Sequence, residues 1–273
     1  MDIWRTIKFN LNQILAIVEK HIRIKLRFKL NLFMGYFQPL IQILLPLIIM
    51  NAIFDLNEEF GPWNRETYII YVFIGYTVIL FRNIINYMPG EFVQEKYWKT
   101  LSALMVAPFN KFNLLFGIMI AHLLIVFIPF VIFLCICVIL FPISVVTLIF
   151  VLLLAFAILI IFSGIALIVG VFAISKENVR KILTTALGLI FFVSCASYPY
   201  EIFPPYLQSL ISINPIYYII DILRLSWIEN DIIFTVTNHP IHFLIILSLL
   251  ISLPTIGILM FNYIFKKYGI VGY

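Results

Sequence analysis

Few residues in this chain could do chemistry, and they are scattered. Cys135 and Cys137 stand one residue apart, a spacing two metal ligands can share. No second cysteine or histidine cluster completes a four-ligand site with them, so they and Cys195, all in apolar stretches, read as reduced packing residues. His122 stands alone in an apolar run, where a satisfied packing histidine is the simpler reading than a ligand. Arg82, with Asn83 and Asn86 beside it, could line a substrate route; snorkelling or pairing to carbonyls is the competing role. No G-x-x-x-x-G-K-[ST], H-E-x-x-H or G-x-S-x-G occurs, so the usual phosphate-loop, zinc-protease and serine-hydrolase arrangements are excluded. The long apolar runs hold no Asp or Glu except at their ends. Ion-coupled carriers usually place a carboxylate near the bilayer midplane, and intramembrane aspartyl proteases need two. No catalytic centre is expected in this chain.

The elements around these residues are set by composition. Hydrophobic residues make up 63% of the 273 positions and charged residues 11%, where soluble domains carry roughly 25% charge. Such a chain cannot coat a globular surface. A hydrocarbon layer of about 30 Å needs about 20 apolar residues per helix. Stretches at about 31–54, 67–89, 112–140, 143–174, 182–198 and 241–265 meet that length or approach it. They are apolar on all sides rather than alternating, which favours helices over a barrel. The expected fold is an all-α integral membrane protein of about six transmembrane helices, with a permease domain over 31–265. Phe141 and Pro142 alone separate the third and fourth runs, so these form a tight hairpin. Ser163, Ala166, Gly170 and Ala173 share one face of the fourth, a surface for close helix packing within the subunit or between subunits.

Basic residues orient the chain. With a cytoplasmic N-terminus, the inner segments hold 15 of the 18 Lys and Arg, and the outer segments hold Arg65 and Arg224. Both ends are then cytoplasmic, in a multi-pass protein of the cell membrane. Residues 1–30 carry seven Lys or Arg and no unbroken apolar core, so they do not read as a cleavable signal. Ile3, Trp4, Ile7, Leu11, Ile14, Leu15, Val18 and Ile22 recur there at helical spacing. This predicts an amphipathic helix in the inner interface, its cations toward anionic headgroups. Over 22–30 apolar and basic residues alternate at a strand period, but a lone strand at a membrane would leave its backbone unpaired.

Two connecting segments stand out. Residues 90–111 form the longest inner loop. Glu91, Glu95, Lys96 and Lys99 face Phe92, Trp98, Leu101, Leu104 and Met105, a pattern for a short surface helix that docks a partner; a solvated connector is the alternative. Residues 196–231 are broken by Pro199, Pro204, Pro205 and Pro215, yet remain too apolar for an aqueous loop. Short helical pieces dipping into the outer leaflet reconcile the two facts. The cluster Tyr198, Tyr200, Tyr206, Tyr217 and Tyr218 reads as an interfacial belt, or as a stacking surface for a sugar or amphiphile.

The same two segments carry a resemblance. Residues 95–117, EKYWKTLSALMVAPFNKFNLLFG, resemble the cytoplasmic loop of type-2 ABC exporter permeases, with Glu95, Thr100, Leu101, Leu104, Pro108, Lys111 and Gly117 at that family's positions. Lys99 stands where the family has Gly, and Ser102 where it has an acid. Residues 197–224, SYPYEIFPPYLQSLISINPIYYIIDILR, are similar to its last extracellular element through Pro199, Pro204, Leu207, Gln208, Asn214, Pro215, Asp221 and Arg224. The resemblance implies a permease without an ATPase site, energised by a separate ABC ATP-binding subunit in two copies that holds ATP and magnesium; no cofactor belongs to this chain. That partner would dock on Glu91, Glu95, Lys96, Lys99, Thr100, Leu101 and Leu104, and on the 175–181 loop with Lys176 and Arg180. A second permease subunit, expected to be an identical copy, would share the path. The cargo would be an amphiphile: a lipid-linked glycan, a lipid or a hydrophobic small molecule, with Arg82 and Asn86 on its route. Tyr198, Pro199, Tyr200, Pro204, Pro205, Asn214 and Pro215 would form the outer re-entrant element. Membrane lipids are expected neighbours and nucleic acid is not. An ATP-independent carrier or channel, or a membrane scaffold that moves nothing, remains the alternative.

Overall fold

The computed structural model describes residues 3–55, 59–99, 111–175 and 177–268. The described chain is helical almost throughout. In chain order the helices are α1 (Ile3–Arg27), α2 (Lys29–Phe54), α3 (Tyr68–Arg82), α4 (Ile84–Tyr97), α5 (Lys111–Leu140), α6 (Val145–Ser175), α7 (Glu177–Phe192), α8 (Pro205–Ile213), α9 (Pro215–Glu229), α10 (Ile232–Asn238) and α11 (Pro240–Tyr268). A hairpin of β1 (Glu59–Phe60) and β2 (Trp63–Asn64) links α2 to α3. Gly61 supplies the positive φ its turn needs, and a Cβ there would run into the Glu201 carboxylate. The end of the bundle carrying this hairpin is the hairpin end; α4 leaves the bundle at the opposite end.

Among the described residues five segments are long and apolar enough to cross a membrane: Leu32–Phe54, Tyr68–Glu91, Phe116–Leu140, Val145–Ala173 and Pro240–Tyr263. The second of these joins α3 to α4 through a break at Asn83, whose N–H reaches the Leu80 carbonyl in a tightened turn. The expected span at 182–198 is α7, 16 residues long, followed by turns from Val193. At 1.5 Å per residue it measures about 24 Å, less than a hydrocarbon layer. Ser194 and the residues after it leave the helix because α9 and α3 take up their carbonyls instead, as described below.

The core sits around α6, which packs along α4 and α11 and touches α7 and α9. Ser163, Ala166, Gly170 and Ala173 are all buried inside this one chain. Gly164 and Gly257 do the same work on the α11 side. A Cβ on Gly164 would lie 2.6 Å from the Pro254 nitrogen, and one on Gly257 would lie 3.0 Å from the Gly164 carbonyl. Small residues let the two backbones approach without a polar group to hold them.

α1 lies along the first half of α5. The side chain of Asn113 donates to Asn10 and Gln13 at 2.9 and 2.6 Å, and a Cβ on Gly117 would lie 2.6 Å from Ile17. Val18 and His21 are buried, while Ile7, Leu11 and Leu15 stay exposed. The apolar residues therefore divide into a stripe facing α5 and a stripe left open. The stretch 22–27 is helical, and the chain breaks only at Phe28 before resuming as α2.

Candidate functional site

The segment expected to be irregular is organised by one arginine. Arg224, on α9, is fully buried among Ile222, Leu223 and Trp227. Its guanidinium donates to the carbonyls of Tyr71 (3.1 Å), Cys195 (2.8 Å) and Ala196 (2.6 Å). Its Cζ lies 3.3 Å from the centroid of the Tyr71 ring. The planar fork of arginine suits this many-acceptor role, which an ammonium could not fill. Burying the charge this way needs compact surroundings. A Cβ on Gly75 would collide with both the Ala196 carbonyl and the Arg224 guanidinium, so α3 can pass here only with glycine at that position.

Other donors complete the clasp. The Tyr71 hydroxyl donates to the carbonyls of Cys195 and Tyr198, and the Tyr68 hydroxyl to Ser197 at 2.6 Å. Asn214 starts α9 by accepting from the Ile216 N–H at 3.0 Å, and its amide donates back to Ile190 at 2.8 Å and Val193 at 3.3 Å. Gln208 donates to the Phe203 carbonyl at 2.8 Å. The last carbonyls of a helix have no partner of their own. Those of α7, and of the turns after it, are here met by side chains from α3 and α9. Cys195 sits at φ +55°, a left-handed conformation that costs a non-glycine residue roughly 1–2 kcal/mol. The bonds to its carbonyl hold it there.

The clasp continues to the neighbouring elements. Trp227 donates to the Phe141 carbonyl, and the Asn230 side chain accepts from the Ser144 N–H at 2.8 Å, so α9 also fastens the turn between α5 and α6. Two carboxylate–imidazole hydrogen bonds tie α9 to the next elements: Glu229 to His239, just before α11, at 2.8 Å, and Asp221 to His242, in its first turn, at 3.1 Å. A cavity of about 260 Å³ opens beside them, lined by Trp63, Tyr200, Glu201, Tyr217 and Asp221 among others. Burial, with Asp221 near, pushes the Glu201 carboxyl above the usual carboxylate range. The Tyr200 and Tyr217 rings meet tilted at 5.6 Å and the Tyr217 and Tyr218 rings edge to face at 5.2 Å, so these tyrosines pack on one another, whereas Tyr206 is exposed. Pro199 and Pro204 precede a 3-10 turn at Tyr200–Ile202 and α8, and Pro205 and Pro215 occupy first helical turns, where proline lacks only an N–H that would be unpaired anyway.

At the opposite end, α4 runs on past Glu91 to Tyr97, and the chain turns at Trp98 and Lys99, the latter at φ +56°. Glu91 is not a free surface acid: His21 of α1 holds it at 3.2 Å. Glu95 and Lys96 fall on the last turns of α4. Thr100, Leu101, Leu104 and Lys176 lie outside the described residues. Arg180 stands in the first turns of α7, which touches α4, and its Nε has no hydrogen-bond partner. Arg82 and Asn86 fall about midway along the second span. The Arg82 guanidinium lies 4.8 Å from the Phe191 ring centroid of α7, and Asn86 is exposed about one turn further on. Arg82 is thus a stacked, half-buried cation on the flank of the bundle.

Sequence reasoning missed the clasp as a unit. Arg224 had been counted among outer charges, and its signal was there: a lone arginine between Leu223 and Leu225 on an apolar helix. A search of curated proteins finds no match to this chain. The family model of the ABC-2 type transporter matches residues 12–227, from within α1 to the end of the clasp. The chain belongs to the ABC-2 type transporter family, as a multi-pass membrane component of such a transporter.

Proposed function

We propose that this chain is the permease of an ATP-driven exporter, working as two copies with two separate ATP-binding subunits. The cargo is an amphiphile: a lipid-linked glycan, a lipid or a hydrophobic small molecule. Both termini and the opposite end face the cytoplasm, and the hairpin end faces out. The charge partition supports this orientation, with 15 of the 18 Lys and Arg in the inner segments.

The observation that carries the reading is the continuity of α3 and α4. One span runs from Tyr71, inside the clasp, to Tyr97, about 9 Å beyond Glu91, with only the break at Asn83 between them. An ATPase docked on Glu95, Lys96, Lys99 and the residues after them, and on Arg180 of α7, holds both helices that meet again at Arg224. A contact at one end can therefore bias the arrangement at the other, provided the ATPase binds two permease states differently. Arg82 and Asn86, on the flank between α4 and α7, would line the path between the two copies, where a mid-span cation gains a partner surface. The test is the double exchange Glu95→Lys with Lys99→Glu. The variant is expected to insert normally and to lose export while the ATPase still turns over. Export at the original rate would contradict the reading, and transport in vesicles stripped of any ATPase would favour a carrier acting alone.

A further inference from the structure

Between α1, α2, α4 and α5, at the opposite end, lies a second cavity of about 390 Å³. That is within the size range of small-molecule sites. Its polar groups gather on one side. Lys25 Nζ stands 4.7 Å from the centroid of the Tyr87 ring, and the Tyr87 and His122 rings meet at 4.9 Å. His122 is 5% exposed, and its Nε2 is buried without a hydrogen-bond partner. The Tyr87 hydroxyl is likewise buried, and Glu91, one turn on, is the group that acts on it. Leaving a buried polar atom unpaired is costly, and His122 Nε2 has no partner among the described residues, so a ligand group in the cavity would meet that need. Glu91 is engaged by His21, whereas Lys25 makes no ion pair among the described residues. Beside Glu91, the cavity offers one ammonium, a phenol hydroxyl and an imidazole nitrogen, a set that suits a phosphate-bearing head.

Tyr36, Asn83, Glu91 and Gln94 also line the cavity, and the remaining wall is apolar, with Leu32 of α2 and Ile125, Val126 and Pro129 of α5. Depth fits too. His122 lies two turns inside the apolar run that starts at Phe116, about 9 Å along the helix. Lys25 and Phe28 lie just before the run that starts at Leu32. The cavity thus reaches from Lys25 and Phe28, before one apolar run, to His122, inside another. Gly35 also lines it, and a Cβ there would meet nothing within 4 Å.

We propose that this cavity binds one phosphate-bearing membrane lipid, its phosphate on Lys25, Tyr87 and His122 and an acyl chain between α2 and α5. The bound lipid joins α1 to the bundle, and this holds whether or not the chain moves cargo.

The test uses the full-length chain purified in maltoside and stripped of lipid, probed by native mass spectrometry with four ligands. These are palmitoyl-oleoyl phosphatidylglycerol, the matching phosphatidylethanolamine, the matching diacylglycerol, and inorganic phosphate. One phospholipid per chain should be retained and diacylglycerol should not. Lys25→Gln removes the ammonium and Gly35→Leu fills the cavity without altering a charge; each should lower retention at least tenfold. Gly35→Leu grows into open space, so the folded monodisperse protein should still be recovered. Equal retention of diacylglycerol, or full retention in both variants, would overturn the proposal. Displacement of the phospholipid by millimolar inorganic phosphate would reassign the site to a free anion and overturn the lipid.

Discussion

The two ends of this molecule solve the same problem in opposite ways. At the hairpin end, α7 stops short and leaves its terminal carbonyls inside the protein. Arg224, Tyr68, Tyr71 and Asn214 bind them. At the opposite end, α1, α4 and α5 enclose Tyr87 and His122 and leave His122 Nε2 unpaired among the described residues. Broken backbone within a membrane is tolerated only where protein covers it, so the first arrangement is a requirement of the fold. An unpaired side chain is not required by the fold, and its retention is better explained by what it binds. One end is fastened and the other is adaptable, which is the order expected if the adaptable end receives an energising partner and the fastened end must move as a unit.

The contrast can be broken most severely at Arg224. Arg224→Met leaves the Ala196 carbonyl with no side-chain donor and weakens the hold on Cys195, and each buried carbonyl left unsatisfied costs about 1–3 kcal/mol. The expected result is loss of folded protein in a thermal scan in detergent, with Arg224→Lys failing nearly as badly. Gly75→Ala comes next: overpacking against the Ala196 carbonyl should cost about 1–3 kcal/mol and lower the midpoint of the same scan. Asn214→Ala removes the cap of α9 and two bonds to α7, and should cost about 1–2 kcal/mol; protease nicking within 196–214 should rise with it. The smallest effect belongs to the other end. His122→Leu deletes a ring nitrogen that has no partner among the described residues, so stability should change by less than about 1 kcal/mol or improve. A large loss there would erase the distinction between the ends.

Much of the architecture was legible beforehand. An apolar run of span length, a Phe-Pro hairpin and four helix-breaking prolines each report a local property, and α6 with its Ser163–Ala173 face follows from composition alone. The contacts were less legible. Hydrophobicity states that a segment avoids water but not what it touches, so the pattern of α1 did not tell the face that meets α5 from the face left exposed. Arg224 read as a surface charge because its partners are carbonyls at 71, 195 and 196, and carbonyls carry no sequence signature. The short α7 was hidden for the same reason, since residues 193–198 are apolar enough to continue a span and leave helix only because α3 and α9 capture them. Lys25, Tyr87 and His122 stand far apart in the chain, and no pattern joins them before the helices pack.

The most direct test of the central claim is co-purification from native cells. The affinity-tagged chain is extracted in mild detergent, and its stoichiometric companions are identified by mass spectrometry. The account predicts one companion protein that bears a G-x-x-x-x-G-K-[ST] loop and hydrolyses ATP. Recovery of this chain alone from several mild detergents, stable and without such a companion, would contradict it.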